Sequence, residues 1–133
     1  MTNETATSHG VLIVEDEVAV REVLVEALTD EGFPTVAARD GADAVDRLQE
    51  GVRPCLIVLD LMMPRMSGWE FAAWLTEQEN ELASIPFIVV TAHGPGHETE
   101  AVGRAAAFLP KPIRLAELID VVGRHCPGSS ANA

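Results

Sequence analysis

Five short apolar runs recur along the chain: Val11–Val14, Thr35–Ala38, Cys55–Leu59, Phe87–Val90 and Ala107–Leu109. They are strand-length, all but the last contain β-branched residues, and they are separated by longer, largely amphipathic segments. This alternation constrains the fold more than any other feature. A crossover helix between successive strands lets them run parallel, whereas a short hairpin would force them antiparallel. The expected product is an α/β domain, a parallel sheet with helices on both faces. Strands buried on both sides should be apolar throughout, as VLIV, LIVL and FIVV are.

The intervening segments carry their own punctuation. Val20, Val23, Leu24, Ala27 and Leu28 follow helical spacing, and Gly32 sits where a left-handed helix end would form. Asp40 can cap a helix over Ala42–Gln49, closed by Gly51. Ser67-Gly68-Trp69-Glu70 has the form of a capping box, followed by the apolar residues Phe71, Trp74 and Leu75. Leu115, Leu118, Ile119 and Val122 outline the last helix. The segment from Glu98 to Ala106 is rich in small residues, so a short or mobile helix is expected there.

At 133 residues the chain fits one domain, expected over residues 10–126. Residues 1–9 and 127–133 read as polar, flexible tails. No apolar run is long enough to span a membrane, and no charged-then-apolar leader opens the chain, so a cytoplasmic location is expected. The formal charge of −12 argues against direct nucleic-acid binding through the surface field. The two cysteines, Cys55 and Cys126, lack metal-ligand spacing and are expected as reduced, buried thiols. Lys111 is the single lysine among nine basic residues, which raises the question of whether an ammonium is needed there.

Two apolar runs end on acids. Val11–Val14 leads into Glu15-Asp16, and the third run leads into Asp60. In a parallel sheet, ligands gather outside the carboxyl ends of the strands. If the first and third strands are neighbours, three carboxylates crowd one pocket and repel. A hard divalent cation would offset that repulsion, and Mg²⁺ suits a few carboxylates plus water. The bland alternative is three strand-end acids, each solvated separately. The fourth run ends on Thr91-Ala92 and the fifth on Lys111-Pro112, adding a hydroxyl and an ammonium to the same edge. A Lys-Pro bond can be cis in a tight turn and so aim the lysine. Cation, hydroxyl and ammonium around a carboxylate form a receptacle for a phosphoryl group, which that carboxylate can accept as a nucleophile.

These elements, in this order, resemble the receiver domain of two-component response regulators. The resemblance covers about residues 10–125. It rests on Glu15-Asp16, on Asp60-Leu61-Met62-Met63-Pro64 with Gly68, on Thr91-Ala92, and on Phe108 three residues before Lys111-Pro112. It implies a flavodoxin-like, doubly wound, five-stranded parallel sheet of order 2-1-3-4-5 with five helices. It implies that Asp60 is the phosphoacceptor. Asp16, Asp60 and the Met62 carbonyl would hold Mg²⁺, or Mn²⁺ as an alternative, with Glu15 acting through water. Lys111, the Thr91 hydroxyl and the N–H groups of Leu61, Met62 and Ala92 would take the phosphoryl oxygens. Thr91 and Phe108 would form the switch, with Pro112 in the cis form. The implied partners are a sensor histidine kinase or histidine phosphotransfer protein, an unidentified downstream protein, and a second copy on activation. The implied output face is the fourth expected helix, the fifth strand and the fifth helix.

The chain departs from the family pattern in places. Glu15 replaces a commoner aspartate. Arg104 stands where receivers usually place a glycine at a left-handed helix end, and the stretch from Thr91 to Lys111 is slightly short. Met62 and His93, at positions that often tune phosphate loss, offer no obvious acid or carboxamide, so slow, unassisted dephosphorylation is expected. Two other function classes compete. A haloacid dehalogenase-type phosphatase needs a second acid two residues after its nucleophile, and Met62 cannot transfer a proton. A phosphorylation-independent scaffold on the same fold would tolerate loss of an acid, the threonine or the lysine, and all are present.

Overall fold

A computed structural model describes residues 10–92 and 99–127. The tails expected at either end fall outside these residues, apart from Pro127, and so does His93. Five parallel strands, β1 (Val11–Val14), β2 (Thr35–Ala38), β3 (Leu56–Asp60), β4 (Phe87–Thr91) and β5 (Ala107–Pro110), pair in the order 2-1-3-4-5. Four α-helices accompany them: α1 (Val18–Asp30), α2 (Gly41–Gln49), α3 (Gly68–Thr76) and α4 (Leu115–His125).

Strand burial follows sheet position. The central strands β1 and β3 are buried at every residue, and β4 at all but its last. The edge strands β2 and β5 are only partly covered. Alternate residues feed two cores. Leu12, Val14, Ile57, Leu59, Phe87 and Val89 pack on the side that holds Leu48 of α2 and Phe71 and Leu75 of α3. Val11, Ile13, Leu56, Val58, Ile88 and Val90 face Leu24 and Leu28 of α1 and Leu118 and Val122 of α4. The period-two alternation of a strand therefore sorts one continuous apolar run into two separate cores.

The helix ends form as the sequence punctuation requires. Asp40 accepts the Asp43 N–H at 2.8 Å and caps α2. Ser67 and Glu70 close a reciprocal capping box on α3. Gly32 and Gly51 take φ of +92° and +109° after α1 and α2. There Phe33 N–H reaches the Leu28 carbonyl, and Val52 N–H the Arg47 carbonyl, satisfying carbonyls that the helix leaves open.

Three expectations change. Among the described residues, the segment between β4 and β5 contains no fourth α-helix, only a 3₁₀ turn at Val102–Arg104. Its small residues supply one buried apolar anchor, Val102, which is too little to hold a longer helix against the sheet. Arg104 consequently ends a 3₁₀ turn, without the left-handed φ expected of its position. A second 3₁₀ turn, Glu81–Ser84, follows α3 and buries Leu82. Finally, Cys55 and Cys126 are joined in a disulfide with Cα atoms 5.4 Å apart, in place of two reduced thiols. They are 71 residues apart in sequence, so only the topology, which lays the end of α4 over the start of β3, brings them together.

Gly68 opens α3 directly against the carboxyl end of β3. Its N–H donates to the Leu61 carbonyl at 2.8 Å, and a Cβ there would collide with the Asp60 carbonyl oxygen and lie 2.7 Å from Leu61 Cα. The colliding atoms are backbone and cannot swing away. Gly68→Ala should lower unfolding stability by about 1–3 kcal/mol, the usual range for overpacking. Urea melts of both proteins measure this, and an unchanged midpoint would show that the approach is looser than described.

Candidate functional site

Strand register builds the site. Val14 pairs with Leu59, Asp60 with Val90, and Thr91 with Pro110. The layer at or just beyond these pairs holds Glu15, Asp60, Thr91 and Lys111. A backbone bond from Lys111 N–H to the Thr91 carbonyl, 3.0 Å, carries the alignment across the last gap. Burial of whole strands thus delivers four polar residues to one edge of the sheet.

Glu15, Asp16 and Asp60 each offer a carboxylate oxygen, and the three oxygens lie within 4.8 Å of one another. Glu15 and Asp60 are 2% and 4% exposed, and Asp16 lies nearer the surface. Lys111 points its ammonium at them, 3.2 Å from Asp60 Oδ1 and 3.6 Å from Glu15 Oε1. The peptide bond between Lys111 and Pro112 is cis. The Met62 N–H donates to the Asp60 carboxylate, and the Glu17 N–H to Glu15 Oε2 at 3.1 Å.

One ammonium does not balance three carboxylates. At an effective dielectric of about 20, two unit charges about 4 Å apart interact by about 4 kcal/mol, so the imbalance is consequential. Burial, with Asp60 and Asp16 alongside, pushes the Glu15 carboxyl up to about 7. Burial also raises Asp60, though Lys111 and the Met62 N–H pull it back. Burial works against the Lys111 charge, but Asp60 and Glu15 outweigh it and raise its pKa, so it stays an ammonium. Three carboxylate oxygens crowded together and facing one ammonium fit a hard divalent ion with oxygen donors. Glu15, Asp16 and Asp60 are the side chains that could hold it.

The remaining expected residues are placed as follows. Leu61 is buried, and Met62 is 58% exposed, with its backbone beside Asp60. Thr91 is half-buried at the end of β4 and Ala92 is exposed just beyond it. Phe108 stands on β5 paired with Val89, 41% exposed, and lines a groove of about 550 Å³ with Arg114, Glu117 and Val121. It is on the sheet's outer edge and apart from the carboxylates.

Comparison with known proteins decides the family. Residues 11–123 match the response regulator receiver domain. The chain belongs to the response regulator receiver family. It is 33% identical to the polar-differentiation response regulator DivK of Brucella anthropi over 115 residues, 85% of this chain and 92% of that protein. It is 39% identical to the response regulator MprA of a Mycobacterium species over 111 residues, 82% of this chain but 46% of MprA. The chain thus spans about half the length of MprA. The response regulator protein TrrA of Thermotoga maritima, solved in complex with Mg²⁺ and BeF, superposes with a TM-score of 0.76 at 28% identity, covering 87% of this chain and 97% of that one. The receiver domain of a Pseudomonas aeruginosa sensor histidine kinase, with magnesium coordinated in its active-site cleft, gives 0.77 at 28% identity, covering 89% and 97%. Receiver domains are generally phosphoacceptor switches with an acidic Mg²⁺ pocket, and this chain has an acidic cluster at the sheet edge that could hold a metal ion. No helix among the described residues is long and apolar enough to cross a membrane.

Sequence reading missed two contacts around these elements. Arg21 of α1 donates to the Glu15 carbonyl at 2.8 Å, steadying the acidic loop from below. Arg65 grips Asp40, a pair 25 residues apart that no spacing rule would connect.

The raised Glu15 pKa has a thermodynamic sign. The folded protein binds this proton more tightly than the unfolded chain, whose carboxyl titrates near the ordinary 4.5. Glu15 therefore favours folding least when ionised, and metal-free stability falls as pH rises from 4.5 towards 7. Thermal melts in EDTA between about pH 5.5 and 8 should show this decline in the wild type and a flatter profile in Glu15→Gln. Parallel profiles would remove Glu15 as the cause.

Proposed function

We propose that this chain is a phosphorylation-activated signalling switch of the cytoplasm, with residues 10–126 as its receiver unit. A phosphoryl group passes from a histidine kinase or histidine phosphotransfer protein to Asp60. The observation that carries this reading is Lys111 Nζ 3.2 Å from a buried Asp60 that shares one ion's reach with Glu15 and Asp16.

The chemistry follows from these side chains. A carboxylate oxygen of Asp60 attacks phosphorus, the phosphorus–nitrogen bond of the phosphohistidine breaks, and its electron pair returns to the imidazole, which takes up a proton. Asp16, Asp60 and the Met62 carbonyl would hold Mg²⁺ or Mn²⁺, with Glu15 acting through water. The bound ion would neutralise charge between carboxylate and phosphoryl oxygens. Lys111 balances charge on the phosphoryl group, and the N–H groups of Leu61, Met62 and Ala92 donate to its oxygens. Met62 and His93 supply no acid or carboxamide to aim water at the product, so phosphate loss is slow. The chain acts once per phosphoryl group, as a switch and not as a turnover enzyme.

Phosphorylation adds charge of about −1.5 to −2 and strong acceptors beside Thr91. The Thr91 hydroxyl moves to meet them. Phe108, now exposed above its groove, packs inward into the space released. The face around β5 and α4 changes shape, and a downstream protein or second copy reads the change.

Incubation with acetyl phosphate and Mg²⁺ tests the acceptor. Intact mass should rise by one phosphoryl group in the wild type, and by none in Asp60→Asn or in EDTA. Stoichiometric labelling of Asp60→Asn would place the acceptor elsewhere. Continuous release of phosphate over many turnovers would favour a phosphatase.

A further inference from the structure

The loop between β3 and α3 carries the Met62 backbone that the proposed function requires beside Asp60. It is held from outside the site. Arg65 sits at φ +65°, the one non-glycine residue with positive φ among the described residues. Met66 N–H closes a three-residue turn across it onto the Pro64 carbonyl at 2.7 Å. That positive-φ form of the γ-turn is rare and strained. It persists where surrounding contacts over-determine it.

Those contacts come from the start of α2. Arg65 Nε lies 2.7 Å from Asp40 Oδ2, and Nη2 lies 3.0 Å from Oδ1, a two-pronged pair. Asp40 is 3% exposed, although Arg65 is largely in solvent. Burial opposes its charge, but Arg65 and the Asp43 N–H outweigh that and hold the carboxyl below its usual value. One residue on, Gly41 N–H donates to the Met66 carbonyl at 3.0 Å. A Cβ at Gly41 would lie 2.6 Å from that oxygen, so the loop rests directly on the helix start. Ordinary capping of α2 needs one oxygen of Asp40 and the Asp43 N–H. It does not need the second oxygen, the guanidinium or the strained turn.

We infer that Asp40 and Arg65 are positioning residues for the metal and phosphoryl site: their pairing clamps the β3–α3 loop and sets where the Met62 carbonyl and N–H stand relative to Asp60. Neither touches the ion or the phosphoryl group. They act through the loop, as supports behind a metal ligand do. This inference rests on the proposed function, because it requires that Met62 serve the site.

Calorimetric titration with Mg²⁺ alone tests it, on the wild type, Arg65→Gly, Arg65→Lys, Asp40→Ser and the Asp40→Ser/Arg65→Gly double variant. Glycine accepts φ +65° without strain, and serine still caps α2, so both single variants keep the fold by independent routes. Melting in EDTA checks this. Each of those single variants should bind Mg²⁺ about three- to tenfold more weakly, at or below the low end for supports of metal ligands. Arg65→Lys, with charge but no fork, should fall between them and the wild type. The double variant should be no weaker than the weaker single one, since a pair acting as one unit is lost once. Wild-type affinity in a folded Arg65→Gly or Asp40→Ser, or additive losses in the double variant, would overturn the clamp while leaving the metal site standing. No Mg²⁺ binding by the wild type would overturn the metal site and the clamp together.

Discussion

Everything in this molecule that bears on function depends on like charges being forced together at one edge of a parallel sheet. The force is burial. β1 and the Leu56–Leu59 part of β3 are apolar throughout and neighbours in the sheet, so Glu15, just after β1, and Asp60, the last residue of β3, must emerge side by side. The hydrophobic gain from the strands, about 25 cal/mol for each Å² of apolar surface removed from water, exceeds what separated carboxylates would save. Repulsion that cannot be escaped by moving apart is relieved by a proton, an ammonium or a cation. Lys111 supplies an ammonium facing the pair, and burial beside Asp60 and Asp16 raises the Glu15 carboxyl.

Under the proposed function, the same crowding would make the site a switch element instead of a static cluster. A pocket already short of positive charge responds strongly when further negative charge arrives. Thr91 and Phe108 lie on adjacent strands, β4 and β5, one near the pocket and one at the outer edge. A change at the carboxylates therefore has a short route to the groove beside α4, through strands that are hydrogen-bonded and rigid. The segment between β4 and β5 is lightly built, with a single 3₁₀ turn and one buried anchor among the described residues. Few packed contacts need to break there for the face to change.

Much of the fold was legible because it is local or periodic. Strand runs, the Ser67–Glu70 capping box, the Asp40 cap and the glycines after α1 and α2 all appear where residue chemistry puts them. The strand-end acids, Thr91 and Lys111 were legible for the same reason, since the end of an apolar run marks the edge of the sheet. What failed or went unseen was non-local or weakly encoded. The short or mobile helix expected between Glu98 and Ala106 rested on small residues alone, with too little apolar anchorage among the described residues. Cys55 and Cys126 looked like two separate core residues, because their meeting depends on how α4 lies over β3.

By itself the sequence determined the alternation of strands and helices, the parallel sheet, and which polar residues stand at strand ends, because each of these follows from burial and periodicity within short segments. Tertiary structure alone decided that Arg65 would reach back to Asp40, that Arg21 would hold the Glu15 carbonyl, that the cysteines would join, and that Lys111 would lie closer to Asp60 than to Glu15. Those are distances between groups that no short sequence pattern links. They are set by how whole elements pack, and no residue's own preferences contain them.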